Sequence, residues 1–327
     1  MALLEIEKLS VQFHTQRGIV HAVNGVDLKI EHGEVVALVG ESGSGKSMTG
    51  LSILGLLPKP HGRIVGGSIR YRDDELTKMK KKEYRELRGH EIAMIFQNPL
   101  SAMDLSFKIG NQLIEIIRAQ QGLKKKEALA EARKLLTLVG IPDLDRVLIS
   151  YPHALSGGMR QRVIIAMALS CKPKLLIADE PTTALDATVQ KQILGLLKRI
   201  NKELGTSILF ITHDLGVVAN LCDRVAVMYA GKVVEYGKTV QTLKTPQHPY
   251  TRGLLAAMPE SIENNEQKRL YEIVGSPPDM LHPPSGCSFF NRCSRATREC
   301  SKTFPERSYT DNERWVRCFH REVYSDE

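Results

Sequence analysis

Gly40-Glu41-Ser42-Gly43-Ser44-Gly45-Lys46-Ser47 stands between a short apolar run, Glu34 to Val39, and a helical pattern that begins at Lys46. A glycine-rich turn in that position lets the backbone wrap an anion, while the helix start adds free N–H groups and a partial positive charge. The pattern fits a phosphate-binding loop. Gly40, Ser42, Gly43, Ser44 and Gly45 form the cradle, Lys46 reaches the β- and γ-phosphates of ATP, and the Ser47 hydroxyl takes Mg²⁺.

Further strands are predicted at Ile92 to Phe96, Lys174 to Ala178, Ser207 to Ile211 and Arg224 to Met228, with helical patterns between most of them. That order predicts an α/β fold with a largely parallel central sheet. Within residues 98–168 strand signals vanish, and Ile109 to Arg118 and Lys125 to Val139 carry apolar residues at helical spacing. This stretch reads as a helical subdomain inserted into the core. From about Thr245 the chain turns rich in Pro and Cys, which predicts an irregular appendage outside the sheet. The expected boundaries are a nucleotide-binding domain over 1–245 and a C-terminal extension over 246–327. There is no internal repeat, so the chain carries one such core.

Leu175-Leu176-Ile177-Ala178-Asp179-Glu180 is a buried-strand pattern that ends in two carboxylates. Asp179 suits Mg²⁺, directly or through water, and Glu180 suits polarising the water that attacks the γ-phosphate. Leu155-Ser156-Gly157-Gly158-Met159-Arg160-Gln161 opens a helix with a small-residue turn and offers a second anion cradle, at Ser156 and Gly158. One nucleotide does not need two cradles in one domain. The second makes sense if it closes the nucleotide site of another, similar domain.

The 327 residues carry 42% hydrophobic and 25% charged side chains, as soluble globular proteins do. No segment approaches the ~18–20 consecutive apolar residues that cross a bilayer, and the N-terminus does not read as a secretory signal. A cytoplasmic location is expected, with membrane association only through a partner. The net charge of +8 comes largely from runs such as Lys80-Lys81-Lys82 and Lys124-Lys125-Lys126. No aromatic residues interleave with them as a base-stacking platform requires, so they read as solvated helix faces and no nucleic-acid partner is expected.

Four of six cysteines, Cys287, Cys293, Cys300 and Cys318, crowd near the C-terminus. In a reducing compartment such a cluster points to a metal site rather than disulfides. The spacings are wider than the paired ligands usual for structural zinc. They suit a loop around a [4Fe–4S] cluster, with Zn²⁺ as the alternative. Cys171 and Cys222 read as small core residues.

The three motifs, in this order, resemble the nucleotide-binding subunits of ABC transporters, in which the Leu-Ser-Gly-Gly-x-x-Gln element is diagnostic. The resemblance covers residues 3–245 and implies further roles. Gln97 resembles the hinge glutamine that senses Mg²⁺ and water, and Asp186 the aspartate that spans the dimer seam. His213 resembles the histidine on the γ-phosphate, and Phe13 the aromatic that stacks on adenine. It also implies a head-to-tail ATPase dimer, each site completed by Ser156 and Gly158 of the other subunit.

Beyond the core, Gln247-His248-Pro249-Tyr250-Thr251-Arg252-Gly253-Leu254-Leu255, Gly275-Ser276-Pro277-Pro278 and Gly286-Cys287-Ser288-Phe289-Phe290-Asn291-Arg292-Cys293 resemble the ATP-binding subunits of bacterial dipeptide and oligopeptide importers. That resemblance points to the dipeptide system and to iron–sulfur ligation by the four cysteines. It implies a peripheral place on the cytoplasmic face of the inner membrane. The partners would be a second, related ATPase subunit, two membrane-spanning permease subunits docked near Gln97 to Phe107, and indirectly an extracytoplasmic peptide-binding protein. Related importers take nickel complexes or glutathione, and some soluble ABC-type ATPases act on ribosomes or DNA. Those soluble proteins usually fuse two cores or insert a long coiled coil, and this chain has neither.

Overall fold

A computed structural model describes residues 2–258, 272–311 and 313–322. By internal contacts the chain divides into two units. One comprises residues 1–31, 35–78 and 211–327, and the other 32–34 and 79–210.

In the first unit, Gly18–Glu31, Ala2–Thr15, Gly62–Tyr71 and Asp74–Glu75 form an antiparallel sheet in that order. Its core face includes Leu4, Ile6, Leu9 and Val11 of one strand, Leu28 and Ile30 of the next, and Ile69 and Tyr71 of the third. The largely parallel sheet expected from sequence omits this layer. The reason lies in register shifts between Ile6 and Leu9 and between Val11 and Gln12, which break the two-residue alternation that marks a half-buried strand.

The same unit holds a second row of strands, ordered Ser308–Tyr309, Trp315–Val316, Lys232–Lys238, Arg224–Tyr229 and Val35–Val39. All five residues of Val35–Val39 are buried, as suits a strand covered on both faces, and it runs parallel to Arg224–Tyr229. The expectation that everything beyond Thr245 stays outside the sheet is corrected here. Trp315 pairs with Tyr236 and Val316 with Glu235, antiparallel, so the C-terminal segment adds strands to the row. An ion pair that periodicity cannot signal fixes this return. Glu235, wholly buried, accepts from the N–H groups of Gln247 and His248, each at 2.9 Å, and from Arg314 Nη2 at 3.1 Å.

In the second unit, Ile92–Ile95 pairs in parallel with Leu175–Asp179, and the strand Ser207–Thr212, whose residues up to Phe210 belong to this unit, flanks the latter. Helices Ile109–Gln121, Lys125–Leu138, Leu144–Ile149, Gly157–Leu169 and Ala187–Leu204 make up most of the remainder. Ile109, Leu113 and Ile117 recur every fourth residue on the buried stripe of the first of these helices. Asp143, Ser156 and Asp186 start three helices by accepting a backbone N–H through their side chains. Lys80–82 and Lys124–126 are exposed. Among the described residues, no helix is long and apolar enough to cross a membrane.

Candidate functional site

The phosphate loop lies in the first unit, between Val35–Val39 and the helix Lys46–Ile53. Gly45 precedes the helix at φ 103°, and a Cβ there would stand 2.3 Å from the Ala22 carbonyl oxygen, so no other residue fits. Lys46 is 5% exposed, and its Nζ donates to the carbonyls of Gly40 at 2.7 Å and Glu41 at 2.9 Å. The ammonium therefore lies inside the loop's curve. The Ser44 hydroxyl is buried and has no hydrogen-bond partner among the described residues, while Ser42 and Gly43 are exposed. A buried cation, an orphaned hydroxyl and an open glycine turn fit a polyphosphate.

Phe13 and His213 belong to the same unit. Phe13 is half-buried on the antiparallel sheet with its ring against Gly62, where an added Cβ would come within 2.7 Å of Cε1. His213 is exposed and follows the strand Ser207–Thr212. The next residue, Asp214, caps the helix Leu215–Leu221.

The second unit carries the carboxylates and the second cradle. Asp179 closes the strand Leu175–Asp179 and is 4% exposed. Glu180 follows with a positive φ of 45°, a backbone state that non-glycine residues rarely adopt and that often marks functional positions. Its Oε2 accepts from Gln97 Nε2 at 3.0 Å and from Thr183 Oγ1 at 2.9 Å. The structure thus joins Gln97 and Glu180 directly. Ser156 caps the helix Gly157–Leu169, accepting from the Met159 N–H at 3.4 Å, and Asp186 caps Ala187–Leu204, accepting from the Val189 N–H at 2.9 Å. The two caps are neighbours in packing. A Cβ on Gly158 would meet Val189 Cγ1 at 2.6 Å, so the bare glycine backbone is what lets the cradle sit against the Asp186 helix.

Ser47 in the first unit carries a hydroxyl and Asp179 in the second a carboxylate, each a hard oxygen donor of the kind Mg²⁺ takes. Cys287, Cys293, Cys300 and Cys318, in the first unit, all line one small cavity of ≈ 20 Å³ together with His248 and His320. Burial raises the Cys287 thiol to about 11 and the Cys318 thiol to about 12, so they are neutral at pH 7 unless a cation displaces the proton. Among the described residues, no three His, Cys, Asp or Glu side chains are placed to hold a metal ion. The cysteines therefore fit a soft metal centre in donor chemistry but not in preformed geometry. Of the other two, Cys222 is buried and Cys171 half-buried.

Sequence reasoning missed a group of residues behind the loop. The Glu41 N–H donates to Tyr250 Oη at 2.9 Å, and the Glu41 carboxylate accepts from Arg292 Nη1 at 2.8 Å. Tyr250 and Arg292 lie in motifs quoted above for their resemblance, but their distance along the chain hides the contact.

A loop that encloses a lysine, a capped Leu-Ser-Gly-Gly helix and a strand ending in Asp-Glu define an ATPase of the ABC class. Comparison with known proteins narrows that class. The ABC transporter family pattern matches residues 23–183, and the pattern described as the C-terminal region of oligopeptide/dipeptide transporters matches residues 234–300. The oligopeptide transport ATP-binding protein OppD of Bacillus subtilis is 49% identical over 90% of this chain and 82% of its own length. The dipeptide transport ATP-binding protein DppD of the same organism is 46% identical over 97% and 94%. A dimeric structure of the ATP-binding cassette MJ0796, in a post-hydrolysis state with ADP and Pi, matches with a TM-score of 0.65 at 27% identity, covering 72% of this chain and 98% of that one. The chain belongs to the family of ATP-binding subunits of oligopeptide and dipeptide ABC transporters.

Proposed function

We propose that this chain hydrolyses ATP to drive import of dipeptides or short oligopeptides, bound peripherally to membrane-spanning permease subunits on the cytoplasmic side. The observation that carries this reading is the 3.0 Å hydrogen bond from Gln97 to Glu180. It ties the residue that opens the proposed docking segment to the carboxylate assigned to hydrolysis. Downstream of Gln97, Leu105 and Phe107 are 49% and 56% exposed, and Ile149 is 66% exposed. The Ile109 N–H donates to the Ser150 carbonyl at 2.9 Å, which brings those two segments together. An apolar patch of that kind suits a permease loop.

In this reading Gly40, Ser42, Gly43, Ser44, Gly45 and Lys46 bind the phosphates, and Ser47, Asp179 and Gln97 hold Mg²⁺, which would screen phosphate charge. Glu180 polarises the attacking water, His213 contacts the γ-phosphate and Phe13 stacks on adenine. Ser156, Gly158 and Asp186 act across a head-to-tail seam on the nucleotide of a second ATPase subunit, a related chain. The helices of the second unit act as the inserted helical subdomain. The described residues beyond 245 act as an extension that holds a [4Fe–4S] cluster on Cys287, Cys293, Cys300 and Cys318, four soft donors that all line one cavity. The dimeric relative with ADP and Pi supports the seam, and the dipeptide and oligopeptide relatives support the cargo.

The test is reconstitution with permease and peptide-binding subunits in vesicles, following labelled dipeptide and tripeptide uptake. ATP-dependent uptake with the wild-type chain and none with Glu180→Gln is expected; equal uptake by both overturns the assignment. Anaerobic purification with iron, sulfide and zinc assays tests the cysteines. About four irons per chain fit the cluster, one zinc replaces it with a structural clip, and neither metal removes the site.

A further inference from the structure

Glu41 puts a carboxylate inside a loop built to bind a strongly anionic ligand. Unopposed, it would repel the phosphates that Lys46 attracts, and this repulsion would be strong where water is scarce. The protein answers with Arg292, whose side chain is only 6% exposed. Besides its bond to Glu41, Arg292 donates from Nη1 to Tyr229 Oη at 3.2 Å, from Nη2 to the Ile273 carbonyl at 2.9 Å and from Nε to the Val274 carbonyl at 3.3 Å. The guanidinium is therefore held from every side. Tyr229, Tyr250 and Phe289 pack ring to ring beneath it, with centroids 4.6–5.4 Å apart. The Tyr250 hydroxyl completes the support by accepting the Glu41 N–H. Pro277, Pro278 and Met280 line a small cavity with residues 41–44, so a second piece of the C-terminal segment lies along the loop.

We propose that Arg292 is a positioning residue for nucleotide binding: it neutralises and fixes Glu41, so that the C-terminal segment sets the affinity of the phosphate loop. The inference rests on the nucleotide reading above. It distinguishes this arginine from one that merely packs the segment in place, because a packing role is indifferent to the charge on Glu41. Arg292 immediately precedes Cys293, so whatever shifts the cysteine cavity has a one-residue path to the loop.

The experiment is titration of the full chain with a fluorescent ATP analogue, with circular dichroism to verify folding. Arg292→Met should bind about tenfold more weakly, and Arg292→Lys, which keeps the charge but not the planar fork of donors, should fall between Met and wild type. Glu41→Gln added to Arg292→Met should restore binding to within about threefold of wild type. Arg292→Gln keeps an amide donor at about the place of Nε, near the Val274 carbonyl, loses the charge, and should weaken binding as Met does. If Arg292→Met does not fold, Arg292→Gln with and without Glu41→Gln decides in its place. Unchanged affinity in the neutral variants, or no rescue by Glu41→Gln, overturns the inference and leaves nucleotide binding standing. No binding by the wild-type chain overturns both.

Discussion

Arg314→Met tests whether the C-terminal return is held by its buried ion pair. Glu235 is wholly buried and the Arg314 side chain is 8% exposed, so neither charge is well solvated. Methionine keeps most of the stem and removes the guanidinium. The Gln247 and His248 N–H groups remain on the carboxylate, but its counter-ion is gone, and Thr245 loses the donors that reached its hydroxyl and carbonyl. Breaking a buried pair in this way costs about 3–5 kcal/mol, and the two surviving amide bonds argue for the lower end, about 3 kcal/mol. Adding Glu235→Gln removes the stranded charge but leaves one of the two amides without an acceptor. The double variant should therefore regain about 1 kcal/mol rather than all of the loss. The protein carries its own reporter. Trp315 is the only tryptophan, is 6% exposed, and stacks on Tyr236 at 5.8 Å, one residue from the substitution. Urea unfolding followed by its fluorescence reads the transition of the unit that contains it. With a slope of about 2 kcal/mol per molar, Arg314→Met should lower the midpoint by about 1.5 M, and the double variant should recover about 0.5 M. A single variant within about 0.3 M of wild type, or a double variant no better than the single, refutes the argument.

Glu180→Gln should bind ATP as wild type does and lose turnover by at least about a hundredfold, read as phosphate release in the reconstituted complex; retained turnover removes Glu180 from its role. Gly158→Ala drives a methyl into Val189 and should cost about 1–3 kcal/mol of stability and impair turnover. Val189→Ala in the same chain should recover much of both, and no recovery means the glycine serves something other than close packing. Burial holds His248 down to about 3 from an ordinary 6.5, so the folded ring stays neutral while the unfolded chain takes up a proton. Its contribution is fully present above pH 6.5 and is lost as pH falls from there toward 3, at up to about 1.4 kcal/mol per pH unit. Urea midpoints at pH 7.5 and 5 should show that loss, and His248→Asn, which retains a capping acceptor for the Tyr250 N–H, should flatten it.

What the sequence makes legible here is what local chemistry determines. The glycine loop, the Asp179-Glu180 strand end and the Ser156 cap each complete their signal within eight residues, and each is found on the element expected of it. The parallel strands read correctly because buried strands are continuous apolar runs. The antiparallel sheet did not, because shifts after Ile6 and Val11 scatter its alternation. The Arg292–Glu41 pair joins positions 251 residues apart, and no window along the chain holds both. Glu235 carries no sequence signal that sets it apart from the chain's other carboxylates; only its amide and arginine partners make burial tolerable.

Trp315–Val316 has a consequence for how the chain is made. It covers the edge of Lys232–Lys238, yet residues 239–314 must be synthesised first. At about 5–20 residues per second, translation leaves that edge bare for several seconds, its N–H and C=O groups open to any passing strand. During that interval the nascent chain is exposed to mispairing, and a truncation ahead of Trp315 would make the exposure permanent.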